Sequence, residues 1–234
     1  IASIASYALV AFGTEAEELE ASFKYAIMGS IASIFIFIGI ALLYGFTSTL
    51  NMADMAKILT VKDSFRLVPF VAVLFLMGFG IKAALVPFHA WLADAHPSAP
   101  ASISAMLSGL LIKTLGVYSL VRIFFNVFNA GQVHTVYLKV FMFLGALSII
   151  VGVILAISQW DLKRLLAYHS VSQVGYIILG IGLGTPLGIL GGLYHLFNHS
   201  IFKSLLFLNS GAVDYSAGTR DLKETGGLGK LMPV

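Results

Sequence analysis

The run Gly78-Phe79-Gly80-Ile81-Lys82-Ala83-Ala84-Leu85-Val86-Pro87 decides how this chain folds. It lies inside an apolar segment that opens near Leu67 and continues to Ala95. At the helical rise, Lys82 sits about 22 Å along that segment. A charged side chain at the bilayer centre costs about 2.5–3.5 kcal/mol on insertion scales. An ammonium that deep does not easily reach a headgroup by snorkelling. Pro87 removes a backbone donor and clashes with the preceding turn, so the helix is expected to kink or break near Val86. Backbone opened at membrane depth is tolerated only where protein buries it or a wet cavity meets it. A deep lysine beside a broken helix therefore points to an all-α polytopic membrane protein with a polar interior.

Composition agrees. The chain of 234 residues is 59% hydrophobic and only 11% charged, against about a quarter charged in soluble domains. Apolar runs of 20 residues and more suit spanning helices rather than barrel strands. No basic patch with interleaved aromatics is present, so nucleic acid is not an expected partner; the lipid bilayer is. The absence of cysteine excludes disulfides and Cys-ligated iron–sulfur clusters within this sequence. Seven apolar segments are predicted: Ile1 to Phe12, then 23–46, 67–95 with its break, 100–125, 135–158, 161–182 and 186–213. Asp161 is the predicted N-cap of the sixth, and Pro186 suits the first turn of the seventh. An acidic loop carries Glu15, Glu17, Glu18 and Glu20, and a polar loop carries Asn51, Asp54, Lys57, Lys62, Asp63 and Arg66. Gly184, Gly188 and Gly192, at four-residue spacing, are expected to bring two helices close. Ile1–Phe12 is too short to span alone, so the sequence reads as an internal portion of a longer protein.

Further basic groups fall at membrane depth. Lys113 lies near the middle of the fourth segment, with Ser104 and Ser108 before it. His195, His199 and Lys203 follow i, i+4, i+8 spacing, which stacks them on one helix face beside Asn198. Histidine titrates near neutral pH and can pass protons. A metal reading has little behind it: no glutamate lies between the histidines, and no third ligand is in view. His169, Ser172, Gln173 and Tyr176 form a second stripe, which helix-to-helix hydrogen bonding and ion transfer explain equally. His89, Asp94 and His96 close the broken segment, either as a mouth or as helix caps, while Asp161, Lys163 and Arg164 are expected at the interface. All eleven carboxylates fall in loops or near segment ends. Burial disfavours a lysine's charged form and a carboxylate restores it, so a membrane-embedded Glu or Asp is expected outside this sequence. Positive charge does not orient the chain: Lys24, Lys163, Arg164, Arg220, Lys223 and Lys230 oppose Lys57, Lys62, Arg66, Arg122 and Lys139.

The stretch from Lys82 to Pro100, the run Ser108-Gly109-Leu110-Leu111-Ile112-Lys113-Thr114, the segment Asp161–Ser170 and the segment His195–Phe207 together resemble the antiporter-like subunits of complex I, of Mrp-type cation/proton antiporters and of membrane-bound nickel–iron hydrogenases. Asp94-Ala95-His96-Pro97 and the run from Gly218 to Leu228 look closest to the hydrogenase and Mrp-type branch. The resemblance implies a fold of fourteen or so helices with two inverted five-helix repeats. Residues 1–128 would end the first repeat, and 129–234 would begin the second. It implies an ion pathway through Lys82, Lys113, His195, His199 and Lys203, supported by His169, Asp94, His96 and Pro87. A glutamate before Ile1 would pair with Lys82, and a further Lys or Glu would lie beyond Val234. The implied function is proton or sodium translocation within a multisubunit redox-driven pump or hydrogenase, or alternatively within an Mrp-type antiporter without redox activity. Partners would be other membrane subunits, further antiporter-like ones among them, in a cell inner membrane. No cofactor is expected in this chain; iron–sulfur clusters, nickel–iron or flavin would belong to partner subunits. A secondary solute transporter also uses broken helices, but requires a substrate-sized pocket rather than a row of titratable groups.

Overall fold

The computed structural model describes residues 2–61, 67–129 and 135–232. Lys62, Asp63 and Arg66 of the predicted polar loop, and the ends at Ile1, Pro233 and Val234, lie outside these. The described residues form helices α1 (Ala2–Val10), α2 (Ala16–Thr47), α3 (Met52–Val61), α4 (Leu67–Ala83), α5 (Ala90–Ser98), α6 (Ala101–Met106), a π-helical stretch (Leu107–Tyr118), α7 (Ser119–Asn126), α8 (Thr135–Ile157), α9 (Leu162–Gly182), α10 (Pro186–Ala217) and α11 (Leu228–Leu231). Among the described residues, four stretches are long and apolar enough to cross a membrane: Ala16–Thr47, Ala101–Asn126, Val136–Ile157 and Leu162–Gly182. Large apolar side chains such as Phe37, Phe143, Ile154 and Phe197 stand exposed on the outer surface, where lipid rather than water is the solvent. The chain is a multi-pass membrane protein.

Two predicted loops turn out helical. Glu17 and Glu18 occupy the first turn of α2, where carboxylates meet the positive end of the helix dipole. The run after Asn51 becomes α3 because Asn51 Oδ1 accepts the Ala53 N–H, at 3.0 Å, at the helix start. The predicted break is present. Helix α4 stops at Ala83, Ala84 takes φ 55°, and α5 does not begin until Ala90. Groups freed by the break find partners inside the protein: Leu85 N–H donates to Gly80 O at 3.0 Å, and the Trp91 indole donates to Ile81 O at 3.0 Å. Val86 N–H donates to Ser148 Oγ of α8 at 3.1 Å. The opened turn is thus closed by protein rather than by lipid.

Gly188 and Gly192 do lie against α9: a Cβ on Gly192 would meet Ile177 O at 2.9 Å. Gly184 departs from the prediction. It sits in the connection between α9 and α10 with φ +67°, so it serves the turn and not the helix face. The pair formed by α8 and α9 uses other glycines. Gly145 on α8 faces Gly175 on α9, while Gly152 lies against Ser172 of α9 and Gly182 against the backbone of Met142 of α8. A Cβ on Gly175 would come within 2.7 Å of Gly145 O, and one on Gly152 within 2.7 Å of Ser172 N. Without a hydrophobic driving force between helices in lipid, such close backbone approach is what dispersion packing requires. In the complete protein, Gly175→Val is expected to lower stability by about 1–3 kcal/mol, read as a fall in the thermal unfolding midpoint in detergent. Gly191→Ala, which meets nothing within 4 Å, serves as the control and should leave the midpoint unchanged.

Candidate functional site

Helix α10 begins with Thr185, whose Oγ1 accepts the Gly188 N–H at 3.1 Å, and with Pro186 in its first turn. Its inward face then carries His195, His199 and Lys203. The first two rings lie nearly parallel, 7° apart, with centroids separated by 6.0 Å. His195 Nε2 bonds Gln173 Oε1 of α9 at 2.8 Å. His199 is fully buried, and neither of its ring nitrogens has a hydrogen-bond partner among the described residues. Lys203 is also fully buried, with its Nζ 3.1 Å from His169 Nδ1. An ammonium only donates, whereas a neutral amine accepts as well. The Lys203–His169 contact can therefore hold its proton on either side.

Lys113 joins this row from the π-helical stretch. It is 2% exposed and donates to Ser108 O; Ser108 Oγ meets Ser170 Oγ of α9 at 3.1 Å. Lys113, Lys203, His195 and His169 all lie within electrostatic reach of His199. Among the described residues, no carboxylate ion-pairs with Lys82, Lys113 or Lys203. At about 6 Å and an effective dielectric constant of about 20, one added charge changes its neighbour's protonation free energy by about 3 kcal/mol. That is roughly a hundredfold in the equilibrium, enough for one protonation to expel another.

Lys82 occupies a separate pocket. Its half-buried side chain reaches to 3.4 Å from Ser3 Oγ, among Tyr7, Tyr25, Trp91 and Ile112. Tyr25 stacks on Trp91 at 4.4 Å, and Tyr7 meets Tyr25 edge-on at 4.5 Å. Pocket and basic row are nevertheless adjacent, since Gly116 of the π stretch presses on Ala83, where a Cβ would meet backbone at 2.5 Å.

The remaining predicted residues divide. Pro87 is exposed within the break. Asp94 lies at one end of the molecule, accepting from Lys24 Nζ at 3.0 Å and Arg164 Nη2 at 2.8 Å, and so ties α2, α5 and α9 together. His96 caps no helix. It is fully buried and stacks on Phe207 at 4.4 Å. Lys163, expected at the interface, is 4% exposed and donates to Ala99 O at 2.8 Å. It lies seven residues before Ser170, two helical turns along the same buried face of α9. Asp161 is the N-cap as predicted, accepting the Arg164 N–H at 2.7 Å. No group of three or more His, Asp or Glu able to hold a metal ion occurs among the described residues.

Known proteins resemble this chain. The whole chain, residues 1–234, matches the family described as NADH:quinone oxidoreductase/Mrp antiporter, transmembrane. Over 232 residues it is 41% identical to an Na(+)/H(+) antiporter component of Alkalihalophilus pseudofirmus, covering 98% of this chain and 46% of that protein. Over 234 residues it is 39% identical to an NADH-quinone oxidoreductase component of Desulforudis audaxviator, covering 100% of this chain and 46% of that protein. Among solved structures, a chain of the membrane-bound sulfane sulfur reductase, an archaeal respiratory membrane complex, superposes with TM-score 0.90 at 35% identity, covering 99% of this chain and 47% of that one. The chain spans about half the length of these relatives.

Removing His169 leaves the buried Lys203 amine without its nitrogen partner, a loss of about 1–3 kcal/mol. A double-mutant cycle in the complete protein reads this directly. His169→Leu is expected to lower the unfolding midpoint, and Lys203→Met made on top of it to recover part of the loss.

Proposed function

Because the chain belongs to the NADH:quinone oxidoreductase/Mrp antiporter transmembrane family, we propose that it forms the central part of an ion-translocating subunit in a multisubunit membrane complex. The carrying observation is the contact between Lys203 and His169 inside a row of buried basic groups without a carboxylate ion pair among the described residues. In this reading Lys82 exchanges between its pocket and the wet axis of the protein. Lys113 takes the charge next, and His199, His195 and Lys203 carry it toward the second half, with His169 as the proton-sharing partner of Lys203. The driving force is electrostatic: each arriving proton disfavours the charge beside it. Residues 1–128 end the first of two inverted repeats, and 129–234 begin the second.

The likeness to a respiratory complex and to an NADH-quinone oxidoreductase component supports a redox-driven pump, whose iron–sulfur, flavin or nickel–iron centres belong to partner subunits. Further antiporter-like subunits complete the proposed assembly in the cell inner membrane. One observation favours a second reading. The 41% identity to an Na(+)/H(+) antiporter component supports an Mrp-type antiporter without redox activity. Mass spectrometry of the co-purifying subunits separates the two.

In proteoliposomes holding the complete complex, Lys82→Ala and Lys203→Ala are each expected to cut ion flux by about tenfold or more, with assembly unchanged. Undiminished flux in both variants overturns the ion-pathway reading.

A further inference from the structure

A cleft opens at the end of the molecule where α2 and α9 begin and α5 and α10 finish. It is lined by Glu15, Glu17, Glu18, Lys163, Asp214 and Arg220, together with residues 97–100. Helix α10 measures the depth beneath it. Asp214 stands in the cleft, Phe207 lies seven residues deeper, or about 10 Å, and Lys203 four residues deeper again, or about 6 Å. His96 stacks on Phe207 at 4.4 Å, and the same ring has Lys203 Nζ at 5.8 Å from its centroid. The imidazole is thus held between the cleft and the basic row.

Three features mark this histidine. It is fully buried, yet neither ring nitrogen has a hydrogen-bond partner among the described residues. A buried polar group without a partner is costly to keep and demands a reason. The groups whose charge reaches it are Lys163 from α9, Lys113 from the π-helical stretch and Lys203 from α10. On the cleft side its chain is tied down. Ser104 Oγ donates to His96 O at 2.9 Å, Lys163 Nζ holds Ala99 O at 2.8 Å, and Arg220 Nη1 holds Pro97 O at 2.8 Å. The backbone from His96 to Ala99 is fixed while the ring keeps both nitrogens for another use.

We propose that His96 relays protons between the acidic cleft and the basic row. The proposal rests on the ion-translocating reading and adds to it a mouth and a residue. Carboxylates at the cleft raise the local concentration of cations, hydronium included. A hydronium gives its proton to one ring nitrogen and becomes water. The imidazolium then releases the proton on its other nitrogen, by way of water, to an unprotonated Lys203 or Lys113 amine. The amine becomes an ammonium and the ring is neutral again. The two-nitrogen ring is the feature that chemistry requires.

The complete complex in proteoliposomes decides it. His96→Phe fills the same space and keeps the stack on Phe207, but has no nitrogen. Proton flux is expected to fall by about tenfold or more with an unchanged unfolding midpoint. Full flux in His96→Phe, with Lys203→Ala inactive, overturns the relay and leaves the ion-translocating reading standing; full flux in both variants and in Lys82→Ala overturns the two together. His96→Ala gives an independent readout, and decides the matter if His96→Phe fails to assemble. Added imidazole is expected to restore flux, whereas thiophene, a ring of similar size without a transferable proton, is not. No rescue, or equal rescue by thiophene, assigns His96 to packing and overturns the proposal.

Discussion

An amine buried away from water and headgroups must take its hydrogen-bond partners from the protein, and this requirement arranges the centre of the molecule. Lys203 finds His169 on the neighbouring helix. Lys113 finds the carbonyl of Ser108, five residues back in a π-wound stretch. The first partner depends on α9 lying hard against its neighbours, and α9 does so because glycines remove the side chains that would hold α8 and α10 away. Dispersion between closely packed backbones and the needs of the buried polar groups are therefore met by one arrangement.

The backbone obeys the same rule at the break between α4 and α5. Opened peptide groups in a membrane each carry a penalty of several kcal/mol if left unpaired. Here the Trp91 indole and Ser148 hydroxyl meet the break from either side. Ser148 belongs to α8, so the break is tied across the interior to the helix packed on α9. Lys82, one residue before the end of α4, is positioned by that closure rather than by a salt bridge.

Charge of the ordinary kind gathers at one end. Asp94 joins Lys24 and Arg164, while Arg220 approaches Asp161 at 3.5 Å and Asp214 at 3.7 Å. Exposed pairs of this sort contribute about 0–1 kcal/mol each, so they matter less for stability than for geometry. They bind the starts of α2 and α9 to the ends of α5 and α10, and backbone bonds between 160–162 and 220–222 add to the tie. The mouth of the cleft keeps its shape because four chain segments are pinned there.

Much of this was legible in residue order. Twenty-residue apolar runs, a proline inside one of them, and lysines at mid-run follow from hydropathy and the cost of burying charge; these determined an all-helical membrane protein with a broken helix and a polar row. The i, i+4, i+8 stripe of His195, His199 and Lys203 was equally plain, because helical period is a local property. What lay beyond reach was every pairing between elements. Nothing near His169 in the chain says that its ring nitrogen meets Lys203, 34 residues later, and nothing near His96 says that it is buried under Phe207 rather than capping a helix. Lys163 reads as interfacial from its charge and becomes buried only because the end of α5 covers it. The sequence by itself determined which groups had to be solvated inside the membrane, since that cost belongs to each side chain. Only the tertiary structure decided which neighbours solvate them, because those neighbours come from helices distant in the chain and are chosen by how closely the backbones can approach.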